Sequence, residues 1–273
     1  MSTPVIGIVA HPNRPEATKV AQRLADAAAT LGAEARLRID DTPRVADDDE
    51  FAAGLTACVA VGGDGTVLRA AHLVGTAGVP IVGVNVGRFG FLTEIDPAHA
   101  EAALTRVLNG EHVIEQVITL ELTLPNGKCV WALNDVVLEK VESQRLVRLQ
   151  LEVNGEIFTV YTCDGLIIAT PTGSTAYNFS VGGPVVSPHL PCLIVVAVSP
   201  HMLFSRALVL APTDHLTVHV MEDRPVGVTA DGLDADIVPV GDSVALGIGA
   251  TRIPFIRFEP ESFPRRLARK FGL

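Results

Sequence analysis

The chain lacks what would carry it into or across a membrane. Its longest apolar stretches, such as "CLIVVAVS", fall far short of the ~20 residues that span a bilayer. The start, "MSTPVIGIVAHPN", has neither the charged onset nor the long apolar centre of a secretory leader, and reads as a first strand. Cysteine is scarce. Cys58, Cys129, Cys163 and Cys192 stand far apart and never form C-x-x-C, which reads as buried, reduced thiols in a cytoplasmic protein. Positive charge is in deficit: 21 Lys and Arg against 31 Asp and Glu leave a net charge of −10. That balance disfavours a general affinity for nucleic acid or anionic membranes. It leaves open a small anionic ligand, which needs only a local cluster of donors.

Familiar catalytic strings are missing as well. There is no G-x-x-x-x-G-K-[ST], no protein-kinase motif set, no H-E-x-x-H and no G-x-S-x-G. The glycines of "GVNVGRFG" are not spaced as G-x-G-x-x-G, so the standard dinucleotide fingerprint is absent. The eight histidines are scattered, as structural histidines would be. Internal repeats, low-complexity segments and a Ser- or Pro-rich linker are lacking too.

What is present is a 273-residue chain, 48% apolar, long enough for one large or two smaller domains with real cores. Two textures divide it. Up to about residue 112, strands alternate with helices. "PVIGIVAH", "AEARLRI", "ACVAVGG" and "VPIVGVN" read as strands; "EATKVAQRLADAAATLG", "TVLRAAHLVG" and "DPAHAEAALTRVLNG" read as helices, and "DDTPRVADDDE" as a solvated loop. This βαβα order predicts a Rossmann-like α/β domain with a mostly parallel sheet. From 113 to about 252 the pattern alternates with period two. "TLELTL", "LQLEVNGEIFTV", "HLTVHV" and "SVALGI" predict antiparallel strands, with Asn154-Gly155 as a hairpin turn and one short helix near "GSTAYNFS". The second half therefore reads as an all-β domain.

Three clusters carry chemistry. In "VGGDGTVLRA" a strand ends at Gly62-Gly63-Asp64-Gly65-Thr66 and a helix follows. Glycines let backbone N–H groups approach an anion, and the helix start adds partial positive charge. The lone carboxylate of Asp64 suits either a proton acceptor for an attacking hydroxyl or a partner for Mg²⁺ beside phosphates. A plain capped turn would use the same residues. In "TCDGLIIATPTGSTAYNFSVGGPVVSP" a strand runs into a turn crowded with small and hydroxyl residues, beside Asp164 and Tyr177. In "ALNDVVLEK", Asn134 and Asp135 interrupt an apolar strand pattern and need partners there. Such a pair can bind a ribose diol or an adenine edge, and a local turn or bulge is the plainer reading.

Taken in order, "GGDGTVLRA", "VPIVGVNVGRFGFLTEI", "LNDVVLEK", "DGLIIATPTGSTAYNFSVGGPVVSP" and "SPHMLFSRALVLAP" resemble the NAD kinase family. The first string is shared with diacylglycerol-type lipid kinases and phosphofructokinases; "TPTGSTAYNFSVGGP" is specific. The resemblance implies an N-terminal α/β domain, an all-β domain that binds NAD, and a C-terminal segment, 253–273, returning to the first. It implies Asp64 as proton acceptor, Gly65 as its backbone neighbour and Arg69 as a phosphate contact. Gly62, Gly63, Gly65 and Thr66 would form the phosphate loop. Asn134, Asp135, Arg145, Asp164, Thr175, Ala176, Tyr177, Asn178, Phe179 and Ser180 would line the dinucleotide. Asp135 stands where the family usually has Glu, and in "ADGLD" Leu233 follows Asp231-Gly232 where the family usually has Gln. The substrates implied are NAD and ATP, with inorganic polyphosphate as an alternative donor and Mg²⁺ as the cofactor. No residue is singled out as a metal ligand. A homodimer or homotetramer is implied. The basic run Arg265 to Lys270 reads as a solvated helix face. Two other readings stay open: a lipid or sugar kinase built on the same glycine loop, and a non-catalytic NAD(P) sensor.

Overall fold

The computed structural model describes residues 3–39, 49–87, 90–142, 145–221, 224–258 and 262–273. The acidic loop expected over 40–48 lies outside them. The chain forms two compact units, Met1–Val117 with Arg252–Leu273, and Ile118–Thr251.

The first unit opens with β1 (Val5–Ala10), α1 (Pro15–Thr30), β2 (Glu34–Arg38), a short α2 (Asp49–Ala52), β3 (Ala57–Gly62), α3 (Asp64–Val74) and β4 (Ile81–Asn85). A 3₁₀ turn at Pro97–His99 leads into α4 (Ala100–Leu108), and β5 (Val113–Thr123) leaves the unit. α1 forms because Pro15 pre-sets its first turn and Ala17, Val20, Ala21, Leu24 and Ala28 recur on one buried stripe. It stops at Gly32, whose φ of 77° is left-handed, and the next amide, Ala33 N–H, bonds the Ala28 carbonyl at 2.9 Å. The strands pair in parallel in the order β2-β1-β3-β4. Alternate strand residues, among them Ile6, Ile8, Val59, Val61, Val82 and Val84, pack with α1 and α4 in one core. The order has a consequence: the chain leaves β1 for one edge and returns beyond it through β3 to the other. Ligands of open α/β sheets bind at the carboxyl ends of the strands flanking such a switch point.

The second unit is antiparallel. It contains β6 (Cys129–Ala132), β7 (Asp135–Lys140), β8 (Val147–Val153), β9 (Glu156–Cys163) and β10 (Gly165–Ala169). A 3₁₀ turn (Thr172–Thr175) and the four-residue α5 (Tyr177–Ser180) follow. Then come β11 (Leu193–Val198), β12 (Leu208–Leu210), β13 (Leu216–Val220), β14 (Val226–Ala230), β15 (Leu233–Val238) and β16 (Ser243–Arg257). One sheet runs β12-β11-β10-β7-β14-β15. β8 pairs with both β9 and β13. The β8–β9 turn is Asn154-Gly155, both at positive φ (53° and 83°), as a type I′ hairpin requires. The end of β16 belongs to the first unit, where Phe255 pairs in parallel with Ile81, and α6 (Phe263–Phe271) follows.

All four cysteines are free thiols, yet only three are buried. Cys129 is exposed, against expectation, because β6 alternates outward and inward and Cys129 falls on an outward position. Burial pushes the Cys58 and Cys163 thiols up to about 12. Among the described residues no helix is long and apolar enough to cross a membrane.

Leu24 is fully buried between α1 and the sheet. Leu24→Ala should lower unfolding free energy by ~2–5 kcal/mol in denaturant titration, the cost of a core cavity.

Candidate active site

A cleft of about 910 Å³ opens in the first unit, at the carboxyl ends of β1, β3 and β4. Arg14, Asp64, Thr66, Arg69 and Lys270 contribute to its walls. Asp64 is the first residue of α3, with Gly63 as the N-cap. Its carboxylate does not cap its own helix. It reaches a neighbouring loop: Phe91 N–H donates to Oδ2 at 2.8 Å, and Leu92 N–H and Thr93 N–H donate to Oδ1 at 2.9 and 3.4 Å.

That arrangement explains the glycines. A Cβ on Gly90 would collide with the Asp64 carboxylate, and one on Gly62 with the Thr66 side chain. At Gly63 and Gly65 a Cβ would meet no protein atom, and both residues line the cleft. The start of an eleven-residue helix, with its partial positive charge, makes the cleft receptive to an anion. Arginines brace the strand ends beside it. Arg69 Nη2 donates to the Ala10 carbonyl at 2.5 Å, and the Arg14 guanidinium donates to the Val86 carbonyl. The cleft residues Arg14 and Lys270 were not read from sequence. Arg14 had a signal, since it precedes Pro15 at the start of α1; Lys270 had only its place on a basic helix face.

The second unit gathers the other sequence clusters. Asn134 lies in the turn between β6 and β7, and Asp135 begins β7. Asp231, at φ 51°, holds this turn. Its carboxylate accepts the N–H groups of Leu133, Asn134 and Asp135 at 2.8, 2.7 and 3.3 Å, and its own N–H donates to the Asp135 carbonyl. Thr170 completes the frame: its hydroxyl donates to the Leu133 carbonyl at 2.6 Å and accepts Gly173 N–H at 3.1 Å. A Cβ on Gly173 would drive into the Asn134 backbone, so the "TPTG" turn packs directly on the Asn-acid pair.

Asp135 is 6% exposed and accepts the Tyr177 N–H at the start of α5. Burial, with the Asp231 charge adding to it, pushes its carboxyl up to about 7. Tyr177 and Phe179 are exposed, and so is Ser180; Thr175 and Ala176 are half-buried. The Asn178 amide is buried and donates to the Ser174 and Pro184 carbonyls at 2.9 Å each, so it holds the turn together. Asp164 pairs with Lys140, which holds its carboxyl below the usual range with help from Ser199. Arg145 is exposed just before β8.

A carboxylate anchored beside a helix start, in a cation-walled cleft at a sheet switch point, is phosphoryl-transfer equipment: charge to neutralise phosphate and an acceptor to orient a hydroxyl. The comparisons agree with that class. The ATP-NAD kinase N-terminal domain model matches residues 35–112, and the ATP-NAD kinase C-terminal domain model matches 133–258. An NAD kinase of Nocardia farcinica is 36% identical, covering 97% of this chain and 90% of the relative. One of Heliobacterium modesticaldum is 38% identical, covering 98% of each. The crystal structure of an Archaeoglobus fulgidus NAD kinase in complex with ATP aligns with a TM-score of 0.77 at 26% identity, covering 99% of this chain and 98% of that one. Yeast NADH kinase complexed with NADH shares the fold at a TM-score of 0.83, 20% identity and coverage of 99% and 88%. The chain belongs to the NAD kinase family, and it is a kinase.

Two outcomes are expected. Gly90→Ala should displace the Asp64 carboxylate, cost ~1–3 kcal/mol of stability as overpacking does, and depress turnover; denaturant titration and a rate assay read both. The second concerns pH. Between the ordinary carboxyl value near 4 and about 7, folded Asp135 keeps a proton that the unfolded chain has released. Its contribution therefore makes stability fall as pH rises through that window. Asp135→Asn should flatten this slope in melts taken from pH 4 to 7.5.

Proposed function

We propose that this chain transfers the terminal phosphoryl group of ATP to the 2′-hydroxyl of the adenosine ribose of NAD, giving NADP. The P–O bond to the leaving ADP breaks, a P–O bond to the ribose 2′-oxygen forms, and the hydroxyl proton passes to Asp64. The observation that carries this is the anchoring of Asp64. A carboxylate offers about four lone-pair positions, and three amides occupy three of them. The remaining capacity orients one hydroxyl. The Gly62–Thr66 loop, Arg69 and the start of α3 receive donor phosphates, since they line or brace the cleft at the switch point.

The dinucleotide falls to Asn134, Asp135, Arg145, Asp164 and the Thr175–Ser180 segment. What supports this is the turn frame built by Asp231 and Thr170, which fixes the Asn134 backbone, and the exposed aromatic faces of Tyr177 and Phe179. Asp135 itself bonds Tyr177 N–H, so the shorter acid in the usual Glu position couples the turn to α5. Mg²⁺ commonly binds substrate phosphates with one or two carboxylates and neutralises developing charge there. Among the described residues, Asp64 and Glu16 are the carboxylates that line this cleft. A cytoplasmic homo-oligomer completes the reading, on the strength of the family resemblance.

The test is NADP formation with Mg²⁺, run with ATP and with polyphosphate, beside diacylglycerol and sphingosine as acceptors. NADP should form, and the lipids should stay unmodified. Asp64→Asn puts an NH₂ where an acceptor is needed. It should lower kcat by ~10²–10⁴-fold, the usual value of a positioned proton acceptor, with NAD affinity by calorimetry nearly unchanged. Near-normal turnover in that variant would remove Asp64 from its role.

A further inference from the structure

The basic C-terminal helix does more than face solvent. Arg266 and Lys270 lie four residues apart on α6, so they share one face. That face meets Phe91. Arg266 Nη1 donates to the Phe91 carbonyl at 2.9 Å. Lys270 Nζ stands 5.7 Å from the Phe91 ring centroid, within cation–π range. The Phe271 ring lies 6.1 Å from the same ring. Phe91 is also the residue whose N–H donates to Asp64 Oδ2. One residue is thus gripped by the catalytic carboxylate through its amide and by α6 through its carbonyl and ring.

Lys270 has a second property: it lines the cleft together with Asp64, Gly63, Thr66, Arg14 and Arg69. The two arginines are tied to backbone carbonyls at the strand ends. A lysine ammonium is a compact charge on a flexible four-carbon stem, suited to following a phosphate. The helix end that carries it is fixed, because Gly272 takes a left-handed φ of 69° and Leu273 N–H bonds the Ala268 carbonyl at 3.0 Å.

We infer that Lys270 binds the terminal phosphates of the phosphoryl donor, which makes the C-terminal helix a working part of the donor site. This deepens the function proposed above and rests on it. The shared ligand chemistry is a polyphosphate chain, so the donor and the diphosphate of NAD must be told apart.

The experiment uses the full chain with Lys270→Met and Lys270→Arg. KM for ATP, KM for NAD, kcat and melting temperature are measured. Inorganic triphosphate, without nucleotide, is titrated calorimetrically as a separate probe. Losing one hydrogen bond to a charged group predicts a roughly ten- to hundred-fold rise in both KM for ATP and the triphosphate Kd in Lys270→Met. KM for NAD and the melting temperature should hold, and Lys270→Arg should recover most of the loss. The inference is overturned by an unchanged ATP KM and triphosphate Kd, by an effect confined to NAD, or by a wild type that binds no triphosphate. A joint loss of both affinities with lowered melting temperature, unrescued by Arg, would likewise reduce Lys270 to a structural residue. If the wild type makes no NADP, the proposed function fails, while the triphosphate titration still decides the role of Lys270.

Discussion

A carboxylate that accepts several backbone N–H groups from a loop distant in sequence is the interaction on which both halves of this protein depend. Asp64 does this for residues 91–93, and Asp231 does it for residues 133–135. Hydrogen bonds to a charged group are each worth ~1.5–3 kcal/mol, and removing the acceptor strands the donors at further cost. Two side chains therefore set the shape of two loops that have little regular structure of their own. Such loops carry function when a rigid scaffold positions them.

The scaffold beneath Asp64 is the parallel sheet. Its order, β2-β1-β3-β4, parts the connections at β1 and β3 and leaves a crevice beyond their carboxyl ends. The crevice opens where α3 begins, so geometry and helix electrostatics coincide. The arginines that brace it donate to carbonyls at its rim, Ala10 at the end of β1 and Val86 just after β4. Their positive charge is held there by these hydrogen bonds to the backbone.

In the second unit, burial does the comparable work. Asp135 sits at the meeting of β7, the Asp231 turn and α5, with its carboxyl raised to about 7 by desolvation and a neighbouring charge. Gly173 lets the "TPTG" turn lie against the Asn134 backbone. Small residues crowd this stretch because two backbones meet there. The hydroxyl of Thr170 bridges them, tying one strand end to the next turn. A motif that reads as ligand-binding from its composition is a packing device here, and the plainer reading of the Asn-acid pair, a turn, is the one the backbone shows.

Much of the fold was legible in the sequence because it follows from local rules. Period 3.6 marked α1 and α4, period two marked the antiparallel strands, and Asn154-Gly155 marked its hairpin. Glycine around Asp64 signalled close approach; at Gly62 what approaches is the Thr66 side chain, while at Gly63 and Gly65 no protein atom would meet a Cβ, and Gly90, far off in sequence, makes room for the Asp64 carboxylate. Cys129 escaped because its exposure depends on which face of β6 is covered. The tertiary structure alone decided the partners. Asp64 meets its amides 27 to 29 residues downstream, Asp231 meets its own 96 to 98 residues upstream, and Arg266 reaches Phe91 across 175 residues. Periodicity and turn chemistry act over one or two turns of chain. A carboxylate's choice of donor is made by packing, which brings distant backbone together only after the sheets and helices have closed their cores.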